Sequence, residues 1–562
     1  MSFLKRNYFK LLLSGLVGSS ALLVSGMIDS LIAGRYLSAA ALTAVSLVSP
    51  YYSLSSFLCS VVLSGANISI NQSVGSKDMA LADRQFSTLF YAQVIIGLGF
   101  ALVSTLLAPR LPGLLGGGES TSPLMLEYLG GVAPYAFVFP ISAFLSSVAY
   151  YDGDVRFSVS GQLLSIVANI LLSIWLSRRM GIRGVAVATV LSSALACCVY
   201  SLHFLLGRCP LHLVRAFSLR ELAAMTGVGL PGISAYLFIA VAVAVVNNYI
   251  GGRFGEYSLY LFAISNTLVG AFANLTGAAG EALAPMASLY YGEDNQLMLR
   301  RLIKLALGCV LVLSVAAALP IYLFPGAICR LYSVSPADVA NVSGALRMFA
   351  ASLFLSGVTN AMVIYYMVSR HTVIAFVCSL LRCLVFFAAS FMLLGALAPG
   401  YLWFGVSLSE GLTLCAMLAI TLIYGRKKKL TPLLLLDRAR EDSIRVWDFP
   451  SKLESFLACG NQVENTLRAA GYSQKTALDS VLVLEELGGL LIGYRCRVEV
   501  TVIMDGRVEL VVRDTSPKWD IANEDDALGS FQQYAALRIL NGKAKKQFFR
   551  TTGCNKVSFI IE

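Results

Sequence analysis

An aspartate lies within the first long apolar stretch of the chain. Asp29 belongs to a run of apolar residues, roughly 10 to 33, and about 20 such residues are enough to cross a bilayer. A carboxylate inside a membrane costs about 2.5 kcal/mol or more, so it usually faces a cavity and belongs to an ion or proton path. The alternative is a capping or interfacial aspartate near the end of the segment, with Arg35 as its partner. Asp29 is therefore the first candidate site residue.

The composition indicates a polytopic membrane protein. Of the 562 residues, 57% are hydrophobic and only 13% are charged, and the mean hydropathy is +0.73. A water-soluble chain could not hide that much apolar surface. The N-terminal basic residues lead into a segment without a convincing cleavage site, so we expect the first helix to remain as an anchor. No basic stripe with interleaved aromatic residues is evident, so nucleic acid is not an expected partner.

Twelve apolar segments follow one another along the chain. Their centres lie near residues 22, 58, 98, 138, 167, 195, 238, 272, 313, 355, 384 and 412, as read with a window of about 20 residues. An even number of spans puts both termini on one side, and the loops on that side carry more Lys and Arg, including the run 426–429. The positive-inside rule then predicts that both termini are cytoplasmic. The expected location is a bacterial inner (cytoplasmic) membrane.

An internal repeat divides the twelve segments into two halves. The stretch 149–156, which contains Tyr150-Tyr151, has a counterpart in 364–370, which contains Tyr365-Tyr366, and 65–78 has a counterpart in 280–294. Two parallel six-helix repeats are typical of transporters whose substrate site lies between the lobes near the membrane midplane. The predicted fold is therefore an all-α membrane protein with two six-helix lobes.

Several motifs follow one another in register along the twelve spans, within about residues 5 to 425. They are the stretches 27–35 with 41–46, 65–86, 151–154, 181–189, 230–232 and 379–382. Taken together, at these positions, they resemble the motifs of the multidrug and toxic compound extrusion (MATE) transporters.

The resemblance implies an antiporter that exports organic, often cationic and amphipathic compounds, driven by protons or sodium entering through the N-terminal lobe. The family's central coupling aspartate matches Asp29, its asparagine matches Asn169, and a further oxygen-bearing position matches Thr189. The family's acid one helical turn after the asparagine is Ser173 here, so the site loses one negative charge but keeps its shape. Sodium prefers several hard oxygen ligands, whereas one buried carboxylate suffices for a proton. We therefore expect proton coupling rather than sodium coupling, and neither a resident cofactor nor a structural metal.

The C-terminal lobe offers two further candidates for the substrate cavity. Glu281 lies inside an apolar segment where the family often has a glutamine, and it is either a cation-recognition residue or a structural acid. Arg382 either faces an anionic headgroup of the cargo or pairs with an acid between helices, and the second role is preferred. Glu410, near the twelfth span, is interpreted as structural.

The composition changes after Lys429, and residues 445–562 are predicted to form a soluble α/β sandwich. Two helical stretches, 451–470 and 474–493, precede a hairpin of 497–503 and 508–512, and the last strand is predicted over 556–561. The order of elements resembles ATP-binding domains of the histidine-kinase and anti-sigma-factor type. The resemblance implies a vestigial nucleotide site, which would comprise Glu485, Glu486, Asp514 and Gly553.

Three departures from that pattern predict a degenerate domain. Leu490 replaces the metal-binding asparagine, Ser516 replaces a glycine, and the glycine-rich lid is reduced to the stretch 528–534. Phosphate-cradling backbone needs those glycines. We therefore expect a tail that neither hydrolyses ATP nor phosphorylates, but regulates transport or binds a cytoplasmic regulatory protein.

The expected organisation is a lobe over 1–206, a cytoplasmic connector over 207–225, a second lobe over 226–425, a basic linker over 426–444 and the tail over 445–562.

The expected function is secondary export of small organic compounds, not enzymatic catalysis. Two alternatives remain: a flippase for a lipid-linked oligosaccharide, which would need cavity-facing arginines and be indifferent to Asp29, and a membrane-tethered signalling protein that uses the tail. The twelve cysteines form no CxxC pair, so a disulfide or zinc framework is not expected.

Overall fold

The N-terminal half of the chain is helical throughout in the computed structural model, which describes residues 2–115, 121–207, 209–331, 336–494, 496–516, 545–551 and 554–561. Its helices are α1 (Phe3–Tyr36), α2 (Ala39–Leu47), α3 (Ser49–Gly75), α4 (Met79–Leu107), α5 (Leu111–Leu114), α6 (Ser122–Val132), α7 (Tyr135–Tyr151) and α8 (Val155–Leu205).

The second half repeats this helical organisation. It contains α9 (Leu219–Glu281), α10 (Leu283–Gly292), α11 (Gln296–Leu323), α12 (Pro325–Leu331), α13 (Val339–Ala350), α14 (Ser352–Val368), α15 (Thr372–Leu380), a π-helix (Leu381–Val385), α16 (Phe386–Leu397), a 3₁₀ turn (Pro399–Phe404) and α17 (Gly405–Lys428). Because α9 begins at Leu219, the connector is shorter than the predicted 207–225.

Two of the helices are too long to be single spans. A straight helix of 51 residues such as α8 would measure about 77 Å, against about 30 Å for a hydrocarbon core. Backbone breaks at Gly181 (φ 60°) and Gly255 (φ 82°) divide α8 and α9. In the described part, eight helical runs are long and apolar enough to cross a membrane, or nine with the bent pair α6 and α7. Dividing α8 and α9 and adding α1 is compatible with twelve spans, and that count stays a prediction.

Four loops on the face that carries both chain termini share one geometry. At each, the helix ends with a residue of positive φ, which is Lys77 (68°), Gly153 (76°), Asp294 (55°) or Arg370 (59°). The next residue donates its amide to a carbonyl five positions back, as in a Schellman motif; one such bond joins Asp78 N to Ser73 O at 3.0 Å. We call this the tail face. The common geometry accords with the internal repeat seen in the sequence.

The two lobes meet near the tail face through glycines. A Cβ atom at Gly75 would overlap the backbone of Leu289 and Gly292, and one at Gly65 would overlap the backbone of Met225 and Gly229. Only glycine allows such close contact between helix backbones. The lobes are therefore closed against each other at this end.

The tail is a five-stranded antiparallel sheet covered on one face by two helices. After α18 (Arg438–Asp442) come β1 (Ile444–Pro450), α19 (Leu453–Ala469), α20 (Gln474–Leu491), β2 (Arg497–Asp505), β3 (Arg507–Asp514), β4 (Lys545–Thr551) and β5 (Cys554–Ile561). The strand order is β1-β2-β3-β5-β4. α19, α20, the hairpin of β2 and β3, and β5 lie where the sequence predicts two helices, a hairpin and a last strand, whereas β1, β4 and the short α18 inside the linker were not predicted.

Candidate functional site

The carboxylate of Asp29 is buried in the N-terminal lobe, seven residues before the end of α1. Its Oδ2 accepts hydrogen bonds from Thr189 Oγ1 at 2.7 Å and from Tyr128 OH at 3.1 Å. The described part of the chain contains no ion pair to Asp29, and Arg35 is exposed. Among the described residues, only neutral groups donate hydrogen bonds to this carboxylate. The structure therefore does not show the capping or interfacial aspartate, paired with Arg35, that the sequence left as the alternative.

The break at Gly181 brings Asn169 and Thr189 together, although 20 residues separate them. Asn169 Nδ2 donates to Thr189 Oγ1 at 3.0 Å. Thr189 can accept this bond and still donate its one proton to Asp29, because a hydroxyl does both. Ser173, one turn after Asn169, is fully buried. Three of the four predicted coupling residues thus form one hydrogen-bonded chain, and the fourth lies next to it on the same helix.

Several oxygen atoms of this group could accept further hydrogen bonds or bind a cation. Among the described residues, Asp29 Oδ1, Asn169 Oδ1 and Ser173 Oγ are buried and have no hydrogen-bond partner. Buried polar atoms normally have one, so such atoms need an explanation. Oxygens of this kind could hold a proton or a hard monovalent cation, and Asp29 supplies the negative charge.

Two tyrosines complete the group, and the sequence analysis did not select them. Tyr128 is fully buried and its hydroxyl lies 2.7 Å from that of Tyr52. The ring of Tyr52 packs edge-on against Tyr135 at 5.1 Å. A tyrosine in an apolar span is usually an interface or core residue, so finding Tyr128 and Tyr52 in the sequence did not indicate a functional site.

Glu281 lies at the junction of α9 and α10, eleven residues before the tail-face end of α10. This distance is about 16 Å along a helix, or close to half the hydrocarbon thickness. The side chain is exposed, whereas the neighbouring Ala282 is fully buried. Its carboxylate lies within electrostatic range of the hydroxyl groups of Tyr150, Tyr151 and Tyr236. Two residues earlier, the carbonyl oxygen of Ala279 accepts a hydrogen bond from Tyr8 of α1 at 2.8 Å, so Glu281 lies close to the N-terminal lobe.

Arg382 lies in the π-helix, a form that often marks functional positions. Its Nε donates to Glu410 Oε1 at 2.9 Å, and Thr359 Oγ1 donates to Glu410 Oε2 at 2.5 Å. Its Nη1 donates to Asn360 Oδ1 at 3.4 Å. The geometry therefore matches the interhelical role preferred for Arg382, with Glu410 as the acid.

The predicted nucleotide residues of the tail that the structure describes lie on two different elements, α20 and β3. Glu485 is exposed and Glu486 half-buried on α20. Asp514 is buried at the end of β3, where it accepts hydrogen bonds from Ser516 N at 2.9 Å and from Asn555 Nδ2 at 3.0 Å. Gly553 and the lid 528–534 lie outside the described residues. Asp514 is thus already engaged by its own domain.

Among the described residues, no group of three or more His, Cys, Asp or Glu side chains could hold a metal ion. A buried histidine, His203, lies between Asp152 and Asp154, with each ring nitrogen 3.4 Å from a carboxylate oxygen. This arrangement joins the end of α8 to the loop before it and gives Asp152 and Asp154 a structural role.

Comparison with known proteins shows which fold the membrane part has. Residues 16–175 match the MatE family model. The structure superposes on the MATE transporter VcmN of Vibrio cholerae with a TM-score of 0.67, at 19% identity, covering 74% of this chain and 95% of that one. A transporter of the MOP superfamily from Pyrococcus furiosus gives a TM-score of 0.66 at 19% identity, covering 76% and 96%. The membrane part thus has the fold of MATE family transporters, and its N-terminal lobe matches the family model.

Similar sequences are found among multidrug exporters. The multidrug export protein MepA of Staphylococcus saprophyticus is 22% identical over 426 residues, which is 74% of this chain and 92% of that protein. MepA of Staphylococcus aureus (strain MRSA252) is 21% identical over 425 residues, again with 74% and 92% coverage.

Proposed function

We propose that the protein is a secondary antiporter that exports organic, amphipathic cations, driven by proton influx through the N-terminal lobe. The observation that carries the proposal is the buried Asp29 carboxylate with only neutral hydrogen-bond donors around it. The similarity to multidrug export proteins supports the cargo class. Sodium is the second choice for the coupling ion, because Asp29 is the one acid among the described residues of the site.

In this mechanism, protonation neutralises Asp29 from the outer side. A carboxylic acid needs an acceptor for its new proton, whereas the carboxylate accepted bonds from Thr189 and Tyr128. Protonation therefore rearranges the chain Asn169–Thr189–Asp29, and the lobe changes shape. Cargo leaves outward during this step, and loss of the proton to the cytoplasm resets the site.

The cargo would bind between the lobes, near Glu281. The carboxylate supplies a negative charge, and the faces of Tyr150, Tyr151 and Tyr236 are suited to an organic cation. Tyr236 is 69% exposed, which leaves its ring open to a ligand. Exchange of Glu281 for glutamine is expected to weaken export of a cation more than export of a neutral compound.

The test is gradient-driven export of a fluorescent organic cation from vesicles. The parent, Asp29→Asn and Glu281→Gln are compared under separate proton and sodium gradients. Asp29→Asn should lose proton-driven export, because an amide cannot carry the coupling proton. Asp338→Asn is the matched control, since Asp338 accepts a bond from Tyr257 at 2.9 Å, away from the coupling group.

Unimpaired export by Asp29→Asn would contradict the proposal. Indifference to Asp29 together with translocation of a lipid-linked sugar would favour the flippase alternative. If the parent exports no organic cation under either gradient, the proposal that the protein is a cation antiporter is wrong.

A further inference from the structure

The tail sheet has one apolar face and one polar face, and both are buried. Alternating residues of β2, β3 and β5 point to opposite faces. The apolar set, which includes Val500, Leu510 and Phe559, packs on α19 and α20. The other face carries Glu499, Arg513, Lys556 and Ser558, each no more than 2% exposed. Charged side chains are almost never this buried unless they are paired, and here part of the pairing comes from the membrane part.

The C-terminal lobe supplies Glu293, from the loop after α10. Its carboxylate pairs with both Arg513 and Lys556 of the tail. Arg513 also bonds Glu499 at 2.8 Å, and its guanidinium lies 5.2 Å from the centre of the Tyr290 ring. Burial raises the pKa of Glu293, but the charges of Arg513 and Lys556 outweigh burial and hold that pKa below its usual value. Glu293 is therefore a charged anchor.

The linker fixes the tail further to the same lobe. Tyr365 and Tyr366 donate to the carbonyl oxygens of Leu434 and Leu433 at 2.7 and 2.9 Å. Glu441 of α18 pairs with Arg300 at 2.7 Å. Linker and tail are thus held to the C-terminal lobe at several separate points, and we expect them to move with it.

In the described structure, the N-terminal lobe contacts the tail through the start of α1 and the loop after α3. Lys77, in the loop after α3, pairs with Glu509 and lies 2.8 Å from Ser558 Oγ. The backbone amide of Phe3, at the start of α1, donates to Asp448. Glu509 and Arg513 lie four residues apart on the same face of β3, about 13 Å along the strand. One rigid sheet therefore holds a loop of each lobe at a set distance.

We propose that the tail is an internal clamp that keeps the lobes closed at the tail face and thereby slows transport. Alternating access requires the lobes to separate at this face so that cargo can enter. The tail stays with the C-terminal lobe, so separation must break the contacts of Lys77 and Phe3. The clamp is released when the pair Lys77–Glu509 opens. The effect on transport rests on the proposed function, whereas the docking itself does not.

The experiment is a charge swap in the full chain. Lys77→Glu and Glu509→Lys each place like charges opposite one another, and the double variant restores an attractive pair. Each single variant should increase export at least about fivefold, as expected when a coupling of this kind is lost. The double variant should return to the parent rate. The swap Glu464→Lys with Arg468→Glu is the control, because that pair, of an exposed Arg468 and a half-buried Glu464, lies on α19, which covers the opposite face of the sheet.

Hydrogen exchange of the same variants in lipid nanodiscs tests docking without transport. In the single variants, amides of the loop after α3 and of β3 and β5 should exchange faster, while those in the core of α19 and α20 stay protected, which shows that the tail remains folded. Unchanged exchange would show that the clamp contact is absent in solution. Faster exchange with unchanged export, or a loss of export that the double variant restores, would overturn the role of the tail as a brake.

Discussion

Thr189 occupies the central position of the polar group in the N-terminal lobe. Its single hydroxyl accepts from Asn169 and donates to Asp29, so it orients both partners at once. A hydroxyl in this position makes the carboxylate sensitive to its own proton, because a protonated Asp29 would compete as a donor. Coupling between protonation and helix position can therefore begin at one hydrogen bond.

The proposed preference for protons over sodium depends on the uncharged side chain of Ser173. Ser173→Asp would restore a second carboxylate one turn from Asn169, and two negative charges with nearby amide and hydroxyl oxygens suit a hard cation such as sodium. We expect export by this variant to respond to a sodium gradient to which the parent is insensitive. The measurement is export under a sodium gradient at constant pH.

The control for that variant is Ser173→Asn, which has nearly the size of aspartate but lacks its charge. A sodium response in both variants would show that side-chain size, not charge, is responsible. A sodium response already present in the parent would contradict the proposed preference for protons.

How much of this site the sequence predicts depends on the residue. Asp29 is conspicuous, because a carboxylate in an apolar run is rare. Asn169 and Thr189 were assigned through the family resemblance, because neither residue type is unusual in a span. Tyr128 was missed, since its position depends on the packing of α6 against α1 and α8, which no local pattern encodes.

The π-helix shows how an element can hold a charge inside the membrane. The widened turn contains Arg382, which reaches Glu410 on α17 and the carbonyl oxygen of Ser356 on α14. The side chain of Glu410 is 8% exposed. Such a pair links three helices, and loss of one partner leaves an uncompensated charge.

Glu410→Gln is therefore expected to destabilise the protein by about 3 kcal/mol or more, as for other buried pairs that lose one partner. The measurement is thermal unfolding in detergent. The double variant Arg382→Met with Glu410→Gln should recover most of the loss, because no buried charge then remains. Glu464→Gln on α19 serves as the control, because Glu464 is only half-buried and its partner Arg468 is exposed. A melting temperature of the single variant equal to that of the parent would contradict the structural role.

The elements of the tail divide into those with local signals and those without. The hairpin of β2 and β3 was predicted because alternating residues flank Asp505-Gly506, and its register pairs Val500 with Val512. β1 was missed because it lies at the sheet edge and its burial does not alternate. β4 follows a stretch in which the sequence had been interpreted as a nucleotide lid, so no strand was expected there.

At the scale of the whole molecule, the two lobes and the basic loops predict one orientation. Both termini, the tail and the Lys- and Arg-rich loops lie on the tail face, and such loops face the cytoplasm. A protease should therefore remove a C-terminal tag from inside-out vesicles but not from intact cells. A label at the turn around Gly255 should react only from the outside. The opposite pattern would reverse the predicted orientation.

The docking of the tail could not be predicted from the sequence. Lys77 and Glu509 are 432 positions apart, and each alone is an ordinary surface residue type. Arg513 and Lys556 lie in strands where alternation assigns them to a solvent face. Only the three-dimensional arrangement shows that another part of the same chain covers this face.

The glycine contacts between the lobes have a consequence for how the two lobes can move relative to each other. Where two helices touch backbone to backbone, no flexible side chains lie between them that could adjust to a change in distance. Because dispersion attraction falls steeply with distance, a small separation already breaks the whole contact. Packed interfaces of this kind have discrete arrangements and do not deform continuously. The contacts of Gly65 and Gly75 thus favour two discrete arrangements of the lobes, one closed and one separated at the tail face. Single-molecule distance records across the tail face should show abrupt jumps between two values, with no gradual drift.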